Sequence, residues 1–329
     1  MKYQFWSKCL FFSSLAFFHH PALSEEATVR CLDREPGTWF FNEDGDEYYV
    51  LGPNELQVNQ EVRDSVRQFK RRVCTSHVTN LDKLFSGLGG VISEPTPSLF
   101  KPLKNWDTSN VISMRETFSE LQLDHYYGRF LPFLPLENWD TSKVTSMHAM
   151  FASVWSPERP LLRLDNILQW DTSKVTDMSY MFVGTLVNLE GIYWEHNEFW
   201  DTSSVTNMRR MFFAARTFSI LNVHMWDVSN VKDMGYMFKS SEVRSSEDLS
   251  GWNTANVTDM RYMFANTDYK KLGISNWNVS KVTNMEAMFW NSKKFNESLN
   301  AWQVENVVDH QYFAKDSSLQ NENWPIFLN

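Results

Sequence analysis

The chain has 329 residues, 43% of them hydrophobic, and a formal net charge of −9. The length alone would suggest about two domains, and the acidic balance argues against a nucleic-acid partner, whose phosphates demand a basic face. No stretch reaches the ~20 apolar residues that a membrane-spanning helix needs.

The chain opens with an apolar run, Cys9 to Phe18, behind Lys2 and Lys8. Ala22-Leu23-Ser24 then offers a small-x-small cleavage site before Glu25. Residues 1–24 therefore read as a secretory signal peptide. Cleavage would remove Lys2 and Lys8 and no acid, moving the net charge from −9 to −11. It would also remove Cys9. Cys31 and Cys74 remain as an even pair in an oxidising compartment, which predicts one disulfide. Asn256, Asn278 and Asn296 begin N-glycosylation sequons.

Residues 25–72 do not share the pattern of the later chain. Trp39-Phe40-Phe41 and Tyr48-Tyr49-Val50-Leu51 flank an acidic Asp-Gly turn and predict a β-hairpin. The turn lacks the bidentate Glu of a calcium loop. Val62, Val66, Phe69 and Val73 recur at helical spacing behind Asn59, a cap residue, so a helix is expected there.

A repeat begins at Val73. Trp-Asn-Thr-Ala-Asn-Val-Thr-Asp-Met-Arg-Tyr-Met-Phe, from Trp252 to Phe264, has close copies starting at Trp226 and Trp277. Tryptophans mark the series at 106, 139, 170, 200, 226, 252, 277 and 302, with Val73 in the same role. Spacings fall from 33 to 25 residues, so the early units carry insertions on a basal length of about 25. In the units from Trp139 to Trp277, Val stands at the fifth position after Trp, Met at the eighth and eleventh and Phe at the twelfth, whereas the last unit has His310 for Met and Phe313-Ala314 for Met-Phe. Those steps fit one face of a helix, and the residues before Trp read as a short strand. The expected fold is an α/β repeat: a solenoid of about nine units, each a short strand plus a short helix, over residues 73–314. The hairpin and helix of residues 25–72 would cap one end, and residues 315–329 the other.

These units resemble the BspA-like surface proteins, including the repeat shared with mycoplasma lipoproteins, whose hallmark is W-[DN]-x-S-x-V-T-x-M-x-x-M-F. The resemblance spans residues 73–314. It implies a leucine-rich-repeat-like (LRR-like) solenoid on a secreted or surface-anchored protein, associated with adhesion and with binding host or matrix proteins.

No catalytic, metal or cofactor constellation emerges from the residues themselves. The acidic column after each Trp (Asp107, Asp140, Asp171, Asp201 and Asp227) reads as a set of backbone caps, because Asn replaces it in later units. The insertions are the better functional candidates. They carry Tyr126, Tyr127, Arg129, Trp155, Arg159, Tyr193, Trp194 and His196, aromatic and basic side chains that suit binding surfaces. Leu131, Phe133, Leu134, Leu161, Leu162 and Leu164 leave open that these segments fold back over the array. The expectation is a non-enzymatic recognition protein for an extracellular protein or glycan. The alternatives are a self-associating matrix or envelope protein and an extracellular polymer hydrolase using Asp165 and Glu190.

Overall fold

The computed structural model describes residues 28–88, 100–122, 134–154, 161–164, 167–188, 200–217, 223–243 and 248–328. A hairpin of β1 (Trp39–Phe41) and β2 (Glu47–Val50) opens the described chain, pairing Trp39 with Tyr49 and Phe41 with Glu47. Gly45 takes φ +83° in the turn, and Asn42 Oδ1 accepts the Asp46 N–H at 2.7 Å. Helices α1 (Glu55–Val58) and α2 (Gln60–Arg67) come next. Asn59 caps α2 by accepting the Val62 N–H at 3.2 Å, and Val62 and Val66 face the core. Strand β3 (Val73–Cys74) then pairs parallel with β2 and leads into the array. Cys31 and Cys74 stand as a disulfide, with Cα atoms 6.4 Å apart.

The units stack in register. Eight parallel bridges join successive units, from Asn80 with Ser113 to Asn284 with Asp309. Tryptophan rings lie on tryptophan rings, as in Trp139 on Trp170 at 6.4 Å and Trp252 on Trp277 at 5.8 Å. The phenylalanines form a parallel column from Phe85 to Phe289 with centroids 5.5–5.8 Å apart. Val and Met positions fill the space between, and one continuous core runs from Leu51 to Leu319. No unit could bury these faces alone.

Two expectations are corrected. The segment from the first Met to Phe forms successive turns and no α-helix. Met263 N–H bonds Met260 C=O at 3.2 Å, and Ala265 N–H bonds Tyr262 C=O at 3.2 Å, each three residues back. The reason is a left-handed residue at the tenth and fourteenth positions after Trp, for example Tyr262 (φ 55°) and Asn266 (φ 57°). A left-handed residue ends helical propagation. The second correction concerns the strand before Trp. There the backbone turns, with Trp252 N–H on Leu249 C=O at 3.0 Å. Strands occur instead after Phe: β4 (Leu161–Arg163), β5 (Leu186–Asn188), β6 (Arg216–Thr217) and β7 (Glu242–Val243) pair parallel in that order.

The turns leave alternate N–H groups for the neighbouring unit. Met234, Tyr236, Phe238 and Ser240 donate to the carbonyls of Asp259, Arg261, Met263 and Ala265 at 2.8–3.0 Å. Buried threonine hydroxyls add a further rung, such as Thr172 to Asp201 C=O at 2.9 Å. So does the indole N–H, as in Trp252 to Val223 C=O at 2.8 Å. At the first unit, side chains of α1 and α2 take carbonyls that have no preceding unit. Gln57 reaches Asn80 C=O at 2.8 Å, Arg63 reaches Lys83 C=O at 2.7 Å and Arg67 reaches Ser86 C=O at 2.8 Å. At the far end, Trp324 and Phe327 pack on Phe313 at 5.7 and 5.2 Å.

Met260→Ala should cost about 2–5 kcal/mol, because it leaves a cavity in the middle of the column. Thr172→Val should cost under about 1 kcal/mol, the net worth of one hydrogen bond, since Val228 and Val279 occupy the same position elsewhere. Urea unfolding of both variants checks the contrast. Replacing Cys31 and Cys74 by Ser should lower stability by about 2–4 kcal/mol, read by the same method against the oxidised parent.

Candidate binding face

The insertion residues proposed from sequence, Tyr126, Tyr127, Arg129, Trp155, Arg159, Tyr193, Trp194 and His196, lie outside the described residues, as do Asp165 and Glu190. At the insertion borders, Leu134 and Leu164 are fully buried. The acidic column lies along the units with Asp140, Asp171, Asp201 and Asp227 exposed, each accepting the N–H two residues on at 2.9–3.0 Å. Asn253 and Asn278 make the same contact at 3.2 and 3.1 Å. Asp107 is buried and also accepts from Ser76 Oγ at 2.7 Å. Burial pushes its pKa up, but the hydrogen bonds of Ser109 and Ser76 outweigh that and hold it below the ordinary value. Among the sequon residues, Asn278 and Asn296 are exposed. Asn256 is half-buried, and its Nδ2 already donates to Ser229 C=O at 2.8 Å.

A second polar column, seven residues after each Trp, was not singled out in the sequence. Asp177, Asn207, Asp233, Asp259 and Asn284 each accept the N–H two residues on at 2.8–3.0 Å. The side chains of Asp177, Asp233 and Asp259 face arginines at the ninth position of the same or a preceding unit. Arg115 lies 3.5 Å from Asp177, Arg209 3.4 Å from Asp233 and 3.6 Å from Asp259, and Arg261 2.7 Å from Asp259. Gly235 makes room for this bridge: a Cβ there would stand 3.0 Å from Arg209 Nη1 and 3.1 Å from Asp233 Oδ1. His148 joins the network, 2.7 Å from Ser179 Oγ and 3.7 Å from Asp177. Burial lowers its pKa in spite of that carboxylate.

Beside the acids runs a ladder of stacked planar groups, set by the left-handed tenth position. Arg210 lies between Tyr180 and Tyr236, its Cζ 5.4 and 4.6 Å from the two ring centroids. Tyr236 stacks on Tyr262 at 4.8 Å. Tyr262 donates its hydroxyl to Glu286 Oε1 at 2.9 Å, and burial together with that carboxylate pushes its pKa up to about 12. Three positions along, Lys239 Nζ lies 4.4 Å from the Tyr262 ring, 5.3 Å from Tyr236 and 5.8 Å from Trp290. Burial, then the charge of Arg210, lowers the Lys239 pKa. Each cation–ring contact is worth about 0.5–2 kcal/mol. The sequence did carry a signal for this ladder: Tyr precedes the second Met in three units, at Tyr180, Tyr236 and Tyr262.

Five overlapping matches to one family model, at residues 57–154, 94–192, 121–242, 156–271 and 222–326, together cover the whole array. The chain belongs to the DUF285 family, described as mycoplasma proteins of unknown function. No curated protein and no solved structure matches it. The matched residues of this DUF285 chain include both polar columns and the stacked ladder. Among the described residues, no helix is long and apolar enough to cross a membrane, and no group of three or more His, Cys, Asp or Glu is placed to hold a metal ion.

A concavity of about 710 Å³ lies between the hairpin and the first unit of this DUF285 array, bordered by Arg30, Arg34, Arg71, Arg72, Asp44 and Asp46. Its charges are largely spoken for. Arg72 pairs with Asp46, Arg34 lies over Phe40 at 4.4 Å and Arg71 over Tyr49 at 5.0 Å.

Burial and the neighbouring Asp259 charge hold the Asp233 pKa above its ordinary value, against the Gly235 N–H and Arg209. Such a group supports the fold fully below its unfolded pKa, near 4, and loses that support as pH rises through the folded value. Asp233→Asn, which keeps the turn acceptor, should therefore raise the urea midpoint at pH 7. The advantage should vanish at pH 3, where the parent carboxyl is protonated. Urea titrations at the two pH values check it.

Proposed function

We propose that this chain is a secreted or cell-surface, non-enzymatic recognition protein that binds an extracellular protein or glycan. On this reading residues 1–24 direct export, and the stacked units form an LRR-like solenoid of the BspA-like kind. The ladder face makes the contact, and the insertion residues Tyr126, Tyr127, Arg129, Trp155, Arg159, Tyr193, Trp194 and His196 are further candidates for it. The observation that carries it is the pair Arg210 and Lys239, which stand among aromatic rings without a direct ion pair. Arg115, Arg209, Arg216 and Arg261 each have a carboxylate within 3.5 Å. Arg210 and Lys239 form no ion pair within 4.0 Å among the described residues, and the more distant Glu286 charge only partly offsets the burial of Lys239. Clustered, partly desolvated cations among aromatic rings mark a surface prepared for a partner. Self-association is the second reading. It is favoured by exposed apolar side chains on the last unit and tail: Val308, Tyr312, Ile326 and Leu328.

The test is a screen of purified residues 25–329 against extracellular glycans and proteins, alongside sedimentation velocity. Recognition predicts a monomer with at least one saturable ligand, whose affinity falls about tenfold in Tyr236→Ala/Tyr262→Ala as aromatic contacts are lost. No ligand, together with a sedimentation coefficient that rises with concentration, would favour the structural reading instead.

A further inference from the structure

We propose that Arg210 and Lys239, walled by Phe213, Tyr236, Tyr262 and Trp290, form a site for the carboxylate or sulfate groups of an acidic glycan. The proposal rests on the recognition reading above and names its ligand class.

Three observations carry it. First, the two cations share a setting: Arg210 Cζ and Lys239 Nζ lie 5.4 and 6.0 Å from the Phe213 ring, and 4.6 and 5.3 Å from the Tyr236 ring. Neither has a carboxylate within 4.0 Å among the described residues. The Glu286 carboxylate acts on Lys239 from beyond that distance and is engaged by the Tyr262 hydroxyl at 2.9 Å, and burial with the Arg210 charge outweighs it at Lys239. Two like charges held together in a low-dielectric setting attract an anion. Second, Arg210 Nε is buried and has no hydrogen-bond partner among the described residues, although such donors are almost always satisfied. The guanidinium therefore enters the site with donor capacity unspent, and guanidinium geometry matches planar oxyanions. Third, Phe213 and Trp290 make no ring–ring stack among the described residues. They flank Lys239 in the same column, within about 12 Å of each other. The small, buried Ala265 lies between Lys239 and Trp290 in that column. An oligosaccharide of a few units spans such a distance, laying its C–H faces on the rings while its anionic groups meet the cations.

The backbone distinguishes a glycan from an acidic peptide. Peptides bound in extended form gain affinity from main-chain hydrogen bonds. Here Arg210, Phe212, Tyr236, Phe238, Tyr262 and Phe264 already donate to the neighbouring unit. A peptide would find side-chain contacts only.

Isothermal titration of purified residues 25–329 with four probes tests the site: heparin oligosaccharide, oligogalacturonate, oligoglutamate peptide and neutral malto-oligosaccharide. The expected result is saturable binding of one or both acidic oligosaccharides, weakened by added salt, with no binding of the peptide or the neutral sugar. Arg210→Gln/Lys239→Gln should lose at least about tenfold in affinity, the scale of lost charge-assisted contacts. Trp290→Ala should also weaken binding. Lys294→Gln, at a cation paired with Asp268 at 2.8 Å, should not. Unchanged unfolding midpoints establish that each variant is folded. Peptide binding as tight as the glycan's, glycan binding that the double variant retains, or no acidic-glycan binding would each overturn the site. In the wider ligand screen, a partner bound equally by parent and double variant would sink this site alone and leave the recognition reading standing.

Discussion

The structure depends on how each unit divides its backbone N–H groups. Between the first Met and the residue after Phe, every second N–H closes a turn within its own unit and the others reach the next. Left-handed residues at the tenth and fourteenth positions enforce that division. Each non-glycine residue in that conformation costs of order 1–3 kcal/mol. The four inter-unit bonds per step return a net ~0.5–1.5 kcal/mol each, so the ladder by itself is close to neutral. Burial of the Trp, Val, Met and Phe columns is what tips the balance, and it exists only when units are stacked. The ends obey the same logic. Gln57, Arg63 and Arg67 substitute for a missing neighbour at the first unit, and Trp324 and Phe327 cover the last Phe.

The same geometry prepares the surface. A residue held left-handed at the tenth position recurs at the same place in every unit, so its side chain meets its counterparts above and below. Tyr180, Arg210, Tyr236 and Tyr262 consequently form a ladder whose members are already ordered before any partner arrives. Such preorganisation lowers the entropy cost of binding. The Asx turns at the seventh position fix the carboxylates that neutralise Arg115, Arg209 and Arg261. Arg210 and Lys239 stand out against that neutralised background.

Much of this was legible in the sequence. The period, the four core columns, the hairpin and the Asn59 cap all arise from residue type and spacing, because burial and capping leave direct chemical signatures. The turn conformation did not. Steps of three, three and one suit an α-helix and a run of turns alike, and they diverge only at the left-handed positions. The tenth position holds Glu116, Ala149, Tyr180, Arg210 and similar residues and never a glycine; at the fourteenth, glycine appears in two units, as Gly87 and Gly184, too few to mark the conformation across the array. A subtler mark was present: no β-branched residue occupies either position in any unit. The ladder face was missed for a related reason. A helix would have placed the tenth residue as one isolated side chain, whereas the turns align it across units. The insertion residues chosen as candidates lie outside the described residues.

The central claim is that each unit depends on its nearest neighbours through interchangeable surfaces. Excising residues 252–276, one whole basal unit from Trp252 up to Trp277, tests it most directly. The account predicts that the Trp226 unit closes onto the Trp277 unit. The shortened protein should then unfold cooperatively in urea, with slowly exchanging amides at Met234, Tyr236 and Phe238. A product without a cooperative transition, or with those amides exchanging freely, would contradict it.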